Sequence, residues 1–244
     1  YALAFIATAF FVSMILTRIF IAVGPRLGLM DEPGERRVHT TPVPRAGGLA
    51  IWMAFTIVLW VADAIFPNLF VGHHHTKNIA WTISSAILIL VGFIDDRTGL
   101  KPLVKLAGQA TAAAVFCYIY YPEGFTFATI QLSFPVALVI FVIWCVALIN
   151  AFNLIDGLDG LCGGLVLVSL AMILAIALSA GNWRDSAFII LMIGAVAGFL
   201  VYNFNPARIF LGDAGSMMLG FFIASSANDI AGERALIGSL MLPI

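Results

Sequence analysis

Uncharged stretches recur along this chain at 1–17, 46–62, 78–94, 106–122, 124–155, 160–183, 186–207, 214–228 and 235–244, and nothing else in the sequence narrows the fold as much. A helix needs roughly 20 apolar residues to cross the hydrocarbon core of a bilayer, and most of these stretches approach that length. Charge is scarce to match: 12 basic and 13 acidic residues in 244. A soluble domain would carry about a quarter of its residues charged. A soluble enzyme, a disordered chain and a nucleic-acid binder are excluded at this point. The runs lack strand alternation, and every lipid-facing backbone group must be bonded within its own segment. The fold class is therefore all-α, a polytopic transmembrane helical bundle.

A polar turn between Glu123 and Ser133 interrupts the 124–155 stretch, which supplies one span at about 134–150. The layout predicts about nine spans, the last incomplete at Ile244. Residues 1–23 read as a retained first span, because no basic leader or cleavage site marks a signal peptide. No repeat, low-complexity tract or linker divides the chain, so 1–244 is expected to be a single transmembrane domain. Cys117, Cys145 and Cys162 lie in apolar runs without metal-like spacing and read as small buried hydrophobes.

Alternating the loops gives the orientation. One set holds Arg26, Arg36, Arg37, Arg45, Arg97, Lys101, Lys105 and Arg208, and the other only Lys77, Arg184 and Arg234. The basic set belongs in the cytoplasm, which puts the N-terminus outside. The same face carries Asp31, Glu32, Glu35, Asp95, Asp96, Asp156, Asp159 and Asp213. Orientation alone needs no acids, so their concentration there marks a working face.

Three acidic motifs close apolar runs on that face. In GFIDDRTGLKP the adjacent Asp95 and Asp96 repel each other and need a counter-charge, from Arg97, Lys101, Lys105 or a divalent cation. In NAFNLIDGLDGL, Asn153, Asp156 and Asp159 step by three, which a helical turn would gather on one stripe. In NPARIFLGDAGSMMLGF, Asp213 stands at the start of the next apolar run. Free N–H groups there, with the Ser216 hydroxyl, could hold phosphate oxygens while Asp213 holds a metal. A fourth loop, DEPGERRVHTTPVPRAGG, is basic, with Arg36, Arg37, His39 and Arg45 among prolines and glycines. Acids and bases on one face suit an anionic substrate bridged by metal. The run His73, His74, His75 falls in a short outer loop and reads as a solvated tip.

The four motifs, in this order and between helices, resemble the polyprenyl-phosphate N-acetylhexosamine-1-phosphate transferase family, glycosyltransferase family 4 type, over nearly the whole chain. The likeness is nearest to bacterial enzymes that begin O-antigen, enterobacterial common antigen or teichoic acid linkage synthesis on undecaprenyl phosphate. The resemblance implies transfer of HexNAc-1-phosphate from a UDP-HexNAc, GlcNAc by preference, to polyprenyl phosphate in the bacterial inner membrane, with release of UMP and with Mg2+ as cofactor (Mn2+ the alternative). Asp95 and Asp96 match the family's paired catalytic aspartates, Asn153 and Asp156 its Asn-x-x-Asp, and Asp213 its metal-binding aspartate, with Asn153 the second candidate ligand. The basic loop, including Arg37, His39 and Arg45, matches its substrate-binding first loop. Arg97 and Lys101 are expected at the lipid phosphate, and Asp159 and Ser216 at the substrate. Membrane lipids are the remaining partners; a homodimer is compatible with the sequence.

The chain departs from the family in two places. Thr98-Gly99-Leu100 stands where some relatives carry a further acid, and no His-rich loop follows before Ile244. The expectation is accordingly that 1–244 is a fragment of a longer natural chain, with little transferase activity by itself. Direct attack by the lipid phosphate is favoured over an aspartyl intermediate, because a phosphate monoester is largely a dianion at neutral pH and needs no base. Two rivals stand beside this reading: a phospho-MurNAc-pentapeptide translocase-type transferase and a transporter or lipid flippase. A transporter should carry its acids near the bilayer midplane in broken helices.

Overall fold

The computed structural model describes residues 2–31, 42–66, 73–127 and 130–233. They form eight long helices: α1 (Ala2–Val23), α2 (Gly47–Ile65), α3 (His73–Thr98), α4 (Pro102–Tyr120), α5 (Phe134–Ile155), α6 (Leu161–Ser179), α7 (Trp183–Asn203) and α8 (Gly212–Glu233). Two antiparallel pairs of two-residue strands complete the loops: β1 (Met30–Asp31) with β2 (Val43–Pro44), and β3 (Thr126–Phe127) with β4 (Ile130–Gln131). The expected all-α bundle forms, and helices α1 to α7 are long and apolar enough to cross a membrane. Residues 235–244, expected to carry a ninth span, lie outside the described residues.

Local chemistry sets the helix boundaries. Pro102 and Pro135 sit in the first turns of α4 and α5, where a missing N–H costs no helical bond. Asn182 caps α7 by accepting from the Asp185 N–H at 3.0 Å. Spans bounded by the nearest charge come out too short. Helix α3 begins at His73 and contains Lys77, and α7 contains Arg184 and Asp185. Lys77, expected in an outer loop, is only 2% exposed, and His73 to His75 open a helix and not a loop. His75 is exposed, with Nδ1 2.9 Å from the Asp63 carboxylate. The physical reason is that Lys77 and Asp185 neutralise each other inside the bundle while Arg184 stays exposed in the first turn of α7, so none of them stops a helix.

Helix α8 occupies the centre, packed by α2, α3, α5 and α6. Every residue from Ala214 to Ser226 is buried. Glycines bring the neighbouring backbones close: a Cβ added at Gly48 would lie 2.3 Å from Gly215 Cα, and one at Gly92 2.3 Å from Ala214 Cα. Small residues are how helices gain contact where lipid removes the hydrophobic drive between them. Phe55, Trp81, Phe188 and Phe222 fill the space between α2, α3, α7 and α8. The outer helices present Phe11, Ile15, Leu103, Val139, Ile143, Val168 and Met172 outward, an apolar surface suited to acyl chains.

Toward its C-terminal end α8 is tied by charge. Lys77 Nζ lies 2.6 Å from Asp185 Oδ1 and 2.5 Å from Asp229 Oδ2. The Tyr121 hydroxyl donates to the other Asp229 oxygen, and Asn182 Nδ2 donates to Asp185 Oδ2 at 2.6 Å. Each of the four carboxylate oxygens thus faces a donor, Lys77 serving two of them, which is the condition for keeping such charges buried. Lys77→Met should therefore destabilise the protein by about 3–5 kcal/mol, because it strands two carboxylates. The thermal midpoint in detergent measures it; an unchanged midpoint would mean that water already solvates the cluster.

Candidate active site

At the opposite end of the bundle the connections α1–α2, α3–α4, α5–α6 and α7–α8 meet. Backbone hydrogen bonds lace them together: Phe210 N–H donates to Pro44 O at 2.8 Å, and Gly47 and Gly48 N–H donate to Phe210 O and Leu211 O, each at 2.9 Å. The start of α2 is thus satisfied by the segment leading into α8. Gly47 is required there, since a Cβ would fall 2.7 Å from Phe210 O. Asn203 ties the α5–α6 turn to the same segment, accepting from Gly160 N–H at 3.1 Å and donating to Ile209 O at 2.9 Å.

The start of α8 is capped by another helix. Asp96, in the last turn of α3, accepts from Asp213 N–H at 3.1 Å and from Ala214 N–H at 3.3 Å. A carboxylate there satisfies two orphan donors and meets the positive end of the helix dipole. Gly212 adopts φ +74° beneath it, and a Cβ at that position would sit 2.8 Å from Asp96 Oδ2. The free N–H groups expected to receive phosphate at Asp213 and Ala214 are therefore already taken by Asp96. Ser216 is fully buried; it donates to Gly212 O at 3.2 Å and accepts from Asn153 Nδ2 at 2.8 Å.

Lys105, one turn into α4, stands at the centre of the cluster. Its ammonium lies 2.7 Å from Asp95 Oδ2, 2.6 Å from Asp213 Oδ2 and 3.3 Å from Asn153 Oδ1. Asn153 Nδ2 also donates to Asp213 Oδ1 at 2.7 Å, and Asp95 Oδ1 accepts from Leu100 N–H at 2.6 Å. Three helices, α3, α5 and α8, thus deliver oxygens to one cation carried by a fourth. Asp156, just beyond the end of α5, is pushed up to about 7 by burial and then by the charges of Asp213 and Asp96, with Arg45 opposing.

The structure brings together Asp95, Asp96, Asn153, Asp156, Asp213 and Ser216 from the sequence candidates. Arg45 is at the edge, ion-paired with the buried Asp31. Asp159 is not part of the cluster: its Oδ2 accepts from Asn205 Nδ2 and Ala207 N–H, both at 3.0 Å. The stripe expected from the three-residue steps does not form. Helix α5 ends at Ile155, and the chain turns through Gly157 to Gly160 at φ +73°. Arg97 lies over the Phe93 ring at 5.6 Å and Lys101 is exposed before α4, so neither joins the acids. Arg37 and His39 fall outside the described residues. Lys105 and Asp31 were underrated by sequence reasoning. A signal for Lys105 existed: it is the single charge in α4, one turn before Gln109, which is buried and bonded to Asn150 at 2.7 Å.

The donor set suits a hard divalent cation. Carboxylate and amide oxygens are the ligands Mg2+ prefers, and Mg2+ is usually held by one or two carboxylates together with substrate phosphates. Among the described residues no group of three or more His, Cys, Asp or Glu is placed to hold a metal ion by itself.

Comparison with known proteins places most of the chain in one family. The family model for glycosyl transferase family 4 matches residues 78–230. The chain is 35% identical over 237 residues to decaprenyl-phosphate N-acetylglucosaminephosphotransferase of Mycobacterium tuberculosis, covering 87% of this chain and 58% of that protein. It is 35% identical over 253 residues to a probable undecaprenyl-phosphate N-acetylglucosaminyl 1-phosphate transferase of Bacillus subtilis, covering 98% of this chain and 67% of that protein. Phospho-N-acetylmuramoyl-pentapeptide-transferase of Staphylococcus carnosus is 31% identical over 259 residues, covering 97% of this chain and 78% of that protein.

Asp96→Ala should cost about 1–2 kcal/mol of stability by uncapping α8, and Asp96→Asn, which keeps one acceptor oxygen, should cost less. Thermal midpoints of the two variants check this; equal midpoints for the alanine variant and the unmodified protein would remove the capping role.

Proposed function

The chain belongs to glycosyl transferase family 4, and from that premise we propose that it transfers GlcNAc-1-phosphate from UDP-GlcNAc to a polyprenyl phosphate, releasing UMP and initiating a cell-envelope glycan. The observation that carries the proposal is the convergence of Asp95, Asn153 and Asp213 on the Lys105 ammonium, at the end of a bundle whose flanks are apolar. A prenyl tail can stay in lipid while its phosphate meets a water-soluble nucleotide sugar at that edge. The basic loops favour a multi-pass chain in the bacterial inner membrane with this end in the cytoplasm.

In the proposed reaction an oxygen of the lipid phosphate attacks the sugar-bearing phosphorus of the diphosphate. A new P–O bond forms, the bridging P–O bond breaks, and UMP leaves with the bridging oxygen. The lipid phosphate is already largely a dianion at neutral pH, so no proton has to be removed. Bringing two anions together makes charge neutralisation and positioning the main demands. Asp213 and Asn153, with Asp95, would hold Mg2+, or Mn2+ in its place, which when bound supplies Lewis-acid charge to the diphosphate and its leaving group.

The chain's own groups divide the remaining work. Lys105 carries positive charge at the point where the phosphates meet. Asp96 holds the start of α8, and with it Asp213, against α3. Both oxygens of Asp95 and both of Asp96 are engaged by donors, which supports attack by the lipid phosphate over a covalent aspartyl intermediate. Unbroken helices with acids at their ends speak against a transporter with carboxylates at the bilayer midplane.

UMP release in detergent, with UDP-GlcNAc, polyprenyl phosphate and Mg2+, tests the proposal; UDP-MurNAc-pentapeptide in the same assay tests the alternative donor suggested by the Staphylococcus relative. Asp213→Asn should lower turnover on the order of 100-fold while leaving the fold intact, because an amide cannot replace a charged hard-cation ligand. Undiminished UMP release by the folded variant would take Asp213 out of the site.

A further inference from the structure

We propose that the Lys105 ammonium is the built-in occupant of the divalent-cation position, neutralising Asp95 and Asp213 until a metal enters and then moving aside to meet the phosphates. The inference rests on the metal reading above and adds to it what holds the site together beforehand.

Geometry supplies the first reason. An ammonium has three N–H groups, and Lys105 has three oxygens around it, at 2.6, 2.7 and 3.3 Å, from α8, α3 and α5. They are the hard oxygen donors a divalent cation would use, so lysine and metal cannot both take them at full strength. Without some cation, Asp95 and Asp213 would face each other as two unpaired like charges, a costly arrangement.

Charge supplies the second. Asp95 and Asp213 against Lys105 leave these three groups at −1. Such a site repels both a diphosphate and a lipid phosphate. Adding a divalent cation while the lysine stays within reach turns −1 into +1, and the same oxygens then favour two anions. Lys105 can make the move: its side chain is 16% exposed and ends a flexible four-carbon stem in the first turn of α4. The consequence is an order of events, with the cation arriving before or together with the nucleotide.

The rival is a permanent ion pair, in which Lys105 keeps its partners and any metal binds elsewhere. Mn2+ binding, read from the loss of the free-ion signal in electron paramagnetic resonance, separates the two. The protein and its Lys105→Gln and Lys105→Met variants are purified in Mg2+ and then stripped with chelator, so that neither variant has to survive preparation with bare carboxylates. Relieved of an internal competitor, both variants should bind Mn2+ more tightly, by roughly tenfold. Their thermal midpoints should fall further than that of the unmodified protein in chelator and rise further on adding Mg2+. Equal or weaker Mn2+ binding by the variants would overturn the placeholder role alone. If neither the unmodified protein nor the variants bind Mn2+, the metal reading falls and this inference falls with it.

Discussion

Burial of α8 on all sides is the constraint from which the remaining structure follows. From Ala214 to Ser226 the helix is buried among α2, α3, α5 and α6, so polar groups on it call for partners from its neighbours. At its start the orphan N–H groups of Asp213 and Ala214 are met by Asp96 of α3, and the Asp213 carboxylate by Lys105 of α4 and Asn153 of α5. Toward its end Asp229 is met by Lys77 of α3 and by Tyr121. Satisfying one central helix thus gathers two aspartates, an asparagine and a lysine at its N-terminal end.

This arrangement separates positioning from charge handling. Asp96 is spent on backbone, and its removal is felt first by the helix it caps. On the proposal above, Asp95, Asn153 and Asp213 exchange one cation for another without breaking the lacing of residues 44–48 to 210–211. Close backbone contacts through Gly48, Gly92 and Gly215 keep that frame fixed. The exchangeable part is therefore confined to the tip of one lysine and its three oxygen partners.

Much of the fold was legible in the uncharged stretches, because lipid imposes length and internal bonding on any chain that crosses it. Hydropathy did not show which helix lies at the centre. The signal was present in reverse: α8 carries Ser225, Ser226, Asn228 and Asp229, polar residues that protein neighbours tolerate and acyl chains do not. Asp95, Asp96, Asn153 and Asp213 were legible as acids and amides at helix ends. Their partners were not, since the pairs joining Asp96 and Lys105 to Asp213 span 117 and 108 residues of sequence. Asp159 misled for a local reason: spacing by three marks a face only while the helix lasts, and Gly157 follows its end at Ile155.

The most direct test of the central claim is anomalous scattering from crystals grown with Mn2+ and UDP-GlcNAc. A peak about 2.1 Å from an Asp213 oxygen, bridging to the diphosphate, with Lys105 withdrawn from Asp95 and Asp213, is the predicted result. A peak remote from Asp213, or a diphosphate bound with Lys105 still seated between the two carboxylates, would contradict it.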